Sequence, residues 1–79
     1  MEQIKLIWDF RGPASSKTAA HFKIHLLEFF TSEKILLIES GVESLNENHH
    51  YTYAVIDKQN LELIKLALKP TRGQLVVKN

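Results

Sequence analysis

His21 and His25 stand four residues apart in the stretch LIWDFRGPASSKTAAHFKIH, one turn apart on a helix, where two imidazoles can share a zinc, nickel or copper ion. Glu28 falls on the same flank and is the nearest carboxylate. The competing reading leaves both rings hydrated at the border of the helix, because nothing else in the segment follows a metalloprotease pattern. His49 and His50 are adjacent, and adjacent side chains in a strand point to opposite faces. They read as a polar strand entry, not as two ligands of one ion.

Arg11, Gly12, Ser15, Ser16 and Lys17 surround an expected helix N-terminus, where exposed amides and the helix dipole favour an anion. Asp9 and Asp57 oppose such a ligand, and the simpler role for Ser15 or Ser16 is to cap the helix. As a carboxylate without a positioned partner, Asp9 offers little for acid–base work. Trp8 and Phe10 share parity with Ile4 and Leu6 and read as core.

These groups depend on the elements that carry them. The segment EQIKLIWDF alternates with period two, sending Ile4, Leu6, Trp8 and Phe10 to one face and Lys5, Ile7 and Asp9 to the other. Pro13 breaks it, and a helix to about Thr31 aligns Ala19, Phe22, Leu26, Phe29 and Phe30 on one stripe. KILLIESG, residues 34–41, predicts a buried strand, and the polar ESLNENHH a rather long hairpin loop. HHYTYAVID alternates again, and the smaller set Thr52, Ala54 and Ile56 is expected beneath the helices, with Tyr51, Tyr53 and Val55 outward. Asp57 can cap a second helix through Lys69 with Leu61, Ile64, Ala67 and Leu68 on its apolar stripe, and QLVVK makes a last strand.

Seventy-nine residues allow one domain, expected to span 1–79 and to bury only about 60–65% of its unfolded surface. Without cysteine the chain has no disulfide and no thiolate chemistry, which fits a reducing compartment. No leader pattern or spanning apolar run is visible, so a cytoplasmic location without membrane attachment is expected. Ten basic and nine acidic side chains are mixed along the chain, leaving no basic stripe for nucleic acid.

The order β-α-β-β-α-β resembles the split βαβ arrangement of the ferredoxin-like superfold. That resemblance implies an α+β sandwich, a four-stranded antiparallel sheet of order 4-1-3-2 with two helices on one face. The first and third strands are expected side by side in the centre, running parallel, with the N-termini of both helices at one end. Among families of this superfold, DFRGPASS is similar to the acylphosphatase phosphate loop only in Arg11 and Gly12. HHYTYAVI resembles the aromatic strand of RNA-recognition modules in Tyr51 and Tyr53, without the neighbouring glycine and basic residue. The Cys-x-x-Cys loop of heavy-metal-associated domains is absent.

An uncovered sheet face bearing Ile7, Asp9, Tyr51, Tyr53 and Val55 would form an apolar patch that a second copy could bury. The expected function is therefore a small non-catalytic binding or regulatory module. It would self-associate as a homodimer, need no cofactor, and hold a small ligand in the open-sheet cleft. The alternatives are a small dimeric enzyme with an acid–base residue in that cleft, or a histidine-dependent binder of zinc or nickel.

Overall fold

The alternation of Gln3–Arg11 becomes the first strand, β1, of the computed structural model, which describes residues 2–76. Helix α1 follows at Ser15–Glu33, then strands β2 at Glu39–Asn46 and β3 at His49–Asp57. A 3-10 turn at Lys58–Asn60 leads into helix α2 at Leu61–Leu68, and strand β4 closes the order at Arg72–Leu75. The sheet runs β2-β3-β1-β4 with every neighbouring pair antiparallel. Read from its other end, this is the order 4-1-3-2.

The central pair is antiparallel, which corrects the expectation of parallel neighbours. Gln3 lies opposite Asp57 and Arg11 opposite His49. The reason is connectivity: β1, α1 and β2 form one crossover unit with its strands parallel, and a tight hairpin then reverses the chain into β3. The two helix N-termini consequently lie at opposite ends of the sheet. Lys58, at the second of them, approaches Glu2 at 3.4 Å and is far in register from Arg11.

Leu6, Trp8, Ala54 and Ile56 from the central strands meet Leu26 and Phe30 of α1 and Ile64 of α2 in one buried cluster. Both helices thus cover the same face. Polar groups within this face are spent locally: Trp8 Nε1 donates to the Leu68 carbonyl at 2.8 Å, and Thr52 Oγ1 to the Ala19 carbonyl at 2.7 Å. Each removes the cost of a buried unpaired group and ties one helix to one central strand. Ala67 is exposed, contrary to its expected place on the α2 stripe, because the short helix turns only Leu61, Ile64 and Leu68 inward.

The second strand begins later than the sequence suggests. Ile35 and Leu37 do pack on the core, but as irregular extended chain, and the ladder proper starts at Glu39. The expected long loop is a two-residue turn, Glu47 and Asn48, closed by the pair Asn46 and His49. Asn46 Oδ1 accepts from the Asn48 amide at 2.8 Å, the local bond that lets asparagine organise a turn. Polar β2 is legible as a strand only through its partner β3.

Ser15 is already helical, and Ala14 occupies the cap position of α1 without a side-chain bond, so neither serine caps it. Asp57 does cap the 3-10 turn, accepting from the Gln59 amide at 3.0 Å. Of the expected last strand, Val77 and Lys78 lie outside the described residues. Among the described residues no helix is long and apolar enough to cross a membrane.

Leu26 is 0% exposed at the centre of the core and Leu66 is 77% exposed on α2. Leu26→Ala should cost about 2–5 kcal/mol, whereas Leu66→Ala should stay within about 0.5 kcal/mol. Urea unfolding of both variants checks the assignment, and equal costs would contradict it.

Candidate functional site

The sheet face away from the helices takes the odd-numbered residues of its central strands. Lys5, Ile7 and Asp9 of β1 lie beside Val55, Tyr53 and Tyr51 of β3, and Arg72 of β4 pairs with Ile7 on the other side. Edge strand β2 adds Glu39, Gly41 and Glu43 opposite Val55, Tyr53 and Tyr51. Charged and aromatic side chains from four strands therefore meet on one surface.

At one end of this surface Asp9 holds two partners. His49 Nε2 lies 2.7 Å from its Oδ1, and Arg72 donates from Nε to Oδ2 at 2.9 Å and from Nη2 to Oδ1 at 3.3 Å. The Asp9 and His49 side chains are only 9% and 11% exposed. The loop before β4 contributes as well, since the Asp9 amide donates to Thr71 Oγ1 at 3.0 Å. A carboxylate so held is an oriented acceptor and not an isolated charge.

The hydrogen bond from Arg72 is the largest influence on Asp9 and holds its carboxyl below the usual carboxylate range. Burial opposes this, and the bond to His49 and the guanidinium charge of Arg72 reinforce it. Tyr53 moves the other way: its hydroxyl donates to Glu39 Oε2 at 3.0 Å, which together with burial and the nearby acidic charges raises its pKa. Gly41 makes this geometry possible, because a Cβ there would lie 2.7 Å from the Tyr53 hydroxyl oxygen. The absence of a side chain lets the ring lie across β2.

Cations close over the tyrosines. Lys5 Nζ is 4.4 Å from the Tyr53 ring centroid and 5.7 Å from that of Tyr51, and the Arg72 guanidinium is 5.4 Å from Tyr51. Beneath this layer Ile7 is 1% exposed and Val55 7%. The bare apolar patch expected of Ile7, Tyr51, Tyr53 and Val55 is therefore not bare: within one chain the two aliphatic residues are already covered.

The residues grouped at the start of α1 are dispersed. Ser15 is buried, with Oγ 2.7 Å from His50 Nδ1 on the helix side of the sheet, while Arg11, Ser16 and Lys17 are exposed. Gly12 adopts φ 111°, a conformation that disfavours side chains, and its amide donates to the Asn48 carbonyl at 2.8 Å. Its role is the corner between β1 and α1. His49 and His50 lie on opposite faces, one with Asp9 and the other with Ser15.

His21 and His25 converge on the outside of α1, with Nε2 atoms 2.9 Å apart and Glu28 Oε1 3.2 Å from His25 Nδ1. Among the described residues no group of three or more histidine, aspartate or glutamate side chains could hold a metal ion. Sequence reasoning placed Lys5 on the open face without its tyrosine contacts, and missed His49 and Arg72 as partners there. The signal available for them was strand parity, which becomes useful only once the antiparallel register is known. The chain matches no known protein-family model, no curated protein and no solved structure.

The depressed Asp9 pKa carries a sign. A carboxylate ionised more readily in the folded than in the unfolded state adds stability above its unfolded value, about 3.9, and that stability is lost as pH falls through the folded value. Asp9→Asn should lower neutral-pH stability by about 1.5–3 kcal/mol and flatten the acid side of the profile. Thermal melts from about pH 7 to about pH 2 check this, and an unchanged acid limb would exclude Asp9 as the responsible group.

Proposed function

We propose that this chain is a small ferredoxin-like binding module. Its working surface is the open sheet face, which takes a small organic anion with a planar group and self-associates so that a second copy encloses the ligand. The observation that carries this reading is the pairing of Lys5 and Arg72 with the rings of Tyr51 and Tyr53 on one surface. A planar anion fits that surface because the tyrosine faces offer stacking area and the cations offer charge. Lys5 has no acidic partner among the described residues, so its charge is available to a ligand. In this proposal the module works in the cytoplasm, in keeping with the absence of cysteine.

Self-association rests on a polar and aromatic face and not on a greasy one. Tyrosines and an arginine of this kind are enriched where protein surfaces meet. Tyr53→Glu would set a third negative charge beside those of Glu39 and Glu43 and should give a folded monomer. Sedimentation at high micromolar concentration checks this, with wild type expected as a dimer; a monomeric wild type would rule out self-association. Native mass spectrometry of untagged protein should retain an organic anion that Lys5→Gln loses.

A second reading, a small acid–base enzyme, is favoured by the 2.7 Å contact between His49 and Asp9. Asp9 would orient the imidazole, and His49 would move a proton to or from a ligand lying on the tyrosines. The buried hydroxyl of Ser15 is on the other face of the sheet and can supply no nucleophile there. His49→Gln separates the readings: an enzyme should lose turnover of the retained molecule, while a pure binding module should only change its affinity.

A further inference from the structure

We propose that His21 and His25 form a site for a divalent ion of tetragonal preference, Ni²⁺ or Cu²⁺, on the outer face of α1. The site is independent of the open sheet face. Its two Nε2 atoms lie 2.9 Å apart, with ring centroids 4.6 Å apart and planes inclined at 73°. Metal–nitrogen bonds of about 2.0–2.1 Å place two ligands about 2.9 Å apart at a right angle and about 3.3–3.4 Å apart at a tetrahedral angle. The spacing matches neighbouring corners of a square-planar or octahedral ion, which favours nickel or copper over zinc.

Glu28 supplies what a lone histidine pair lacks. Its Oε1 sits 3.2 Å from His25 Nδ1, within ion-pair distance of the ring. A carboxylate beside the far nitrogen of a ligating imidazole can orient the ring and raise its basicity. The two Nε2 atoms share one hydrogen bond, whose donor is set by the tautomers of the rings. A bound ion displaces the hydrogen between them, and the ring that donated it carries its proton at Nδ1 instead, so that both Nε2 lone pairs can face the ion. Water completes the coordination, consistent with only two protein ligands.

Two charged residues of α1 lie one turn from the pair in sequence. Glu28 follows His25 at i+3 and offsets part of the metal charge, while Lys17 precedes His21 by one turn and opposes it. The remaining histidines provide internal controls, because His49 is engaged with Asp9 and His50 with Ser15.

The test is titration of the untagged full chain with Ni²⁺, Cu²⁺ and Zn²⁺ by calorimetry, with electron paramagnetic resonance of the copper form. Expected are one equivalent bound, resonance splitting from two imidazole nitrogens, and weaker binding of Zn²⁺ than of Ni²⁺. His21→Ala and His25→Ala should each lower affinity at least tenfold, and Glu28→Gln by a smaller factor, through loss of a neighbouring negative charge. His49→Ala should leave binding unchanged. All three α1 positions are exposed, so circular dichroism should show the variants folded. Copper binding that survives both His21→Ala and His25→Ala, binding lost with His49→Ala, or absence of a one-equivalent event would overturn the proposal.

Discussion

The two-residue turn at Glu47 and Asn48 sets the geometry on which the rest of the sheet depends. By reversing the chain at once it makes β3 antiparallel to both β2 and β1, and it fixes Asn46 opposite His49. The same turn is tied to the far end of β1, where the Gly12 amide donates to the Asn48 carbonyl. A one-residue slip would send every side chain of β3 to the other face. The tyrosines would then lie under the helices, and His49 would lose Asp9.

With that register in place, the two faces of β3 have different physical work. The helix side holds Thr52, Ala54 and Ile56, each 0% exposed, small enough for α1 to approach and for the Thr52 hydroxyl to reach a helix carbonyl. The other side carries larger, polar-tipped residues that no helix covers. Tyrosine suits this position because its ring shields the aliphatic residues beneath while its hydroxyl reaches a partner at the rim. Ile7 is buried on the uncovered side for this reason, without any second layer of secondary structure.

Asp9 shows how the same surface accommodates a charge. Its side chain is 9% exposed, and a carboxylate at that depth persists because an imidazole arrives from β3 and an arginine from β4, with Thr71 just before that arginine holding the Asp9 amide. The short strand β4 and the loop before it matter chiefly in this way. They add little to the core, since all four residues of β4 are exposed, but they carry Arg72 to the carboxylate.

Sequence alone determined the features that arise from local periodicity. The alternation of β1 and β3, the apolar stripe of α1 and the cap at Asp57 are each written in residues within a few positions of one another, where steric and hydrogen-bonding preferences act directly. Edge strand β2 was not legible, because its polar residues form a strand only when β3 offers a ladder to complete. The direction of the central pair and the spread of the helix N-termini likewise followed from how the hairpin and crossover combine. Tertiary structure decided the partners of Asp9, which lie 40 and 63 residues away along the chain, and the cover over Ile7. Such contacts depend on register between strands, and register is set by the packing of a whole face, which no short stretch of residues encodes.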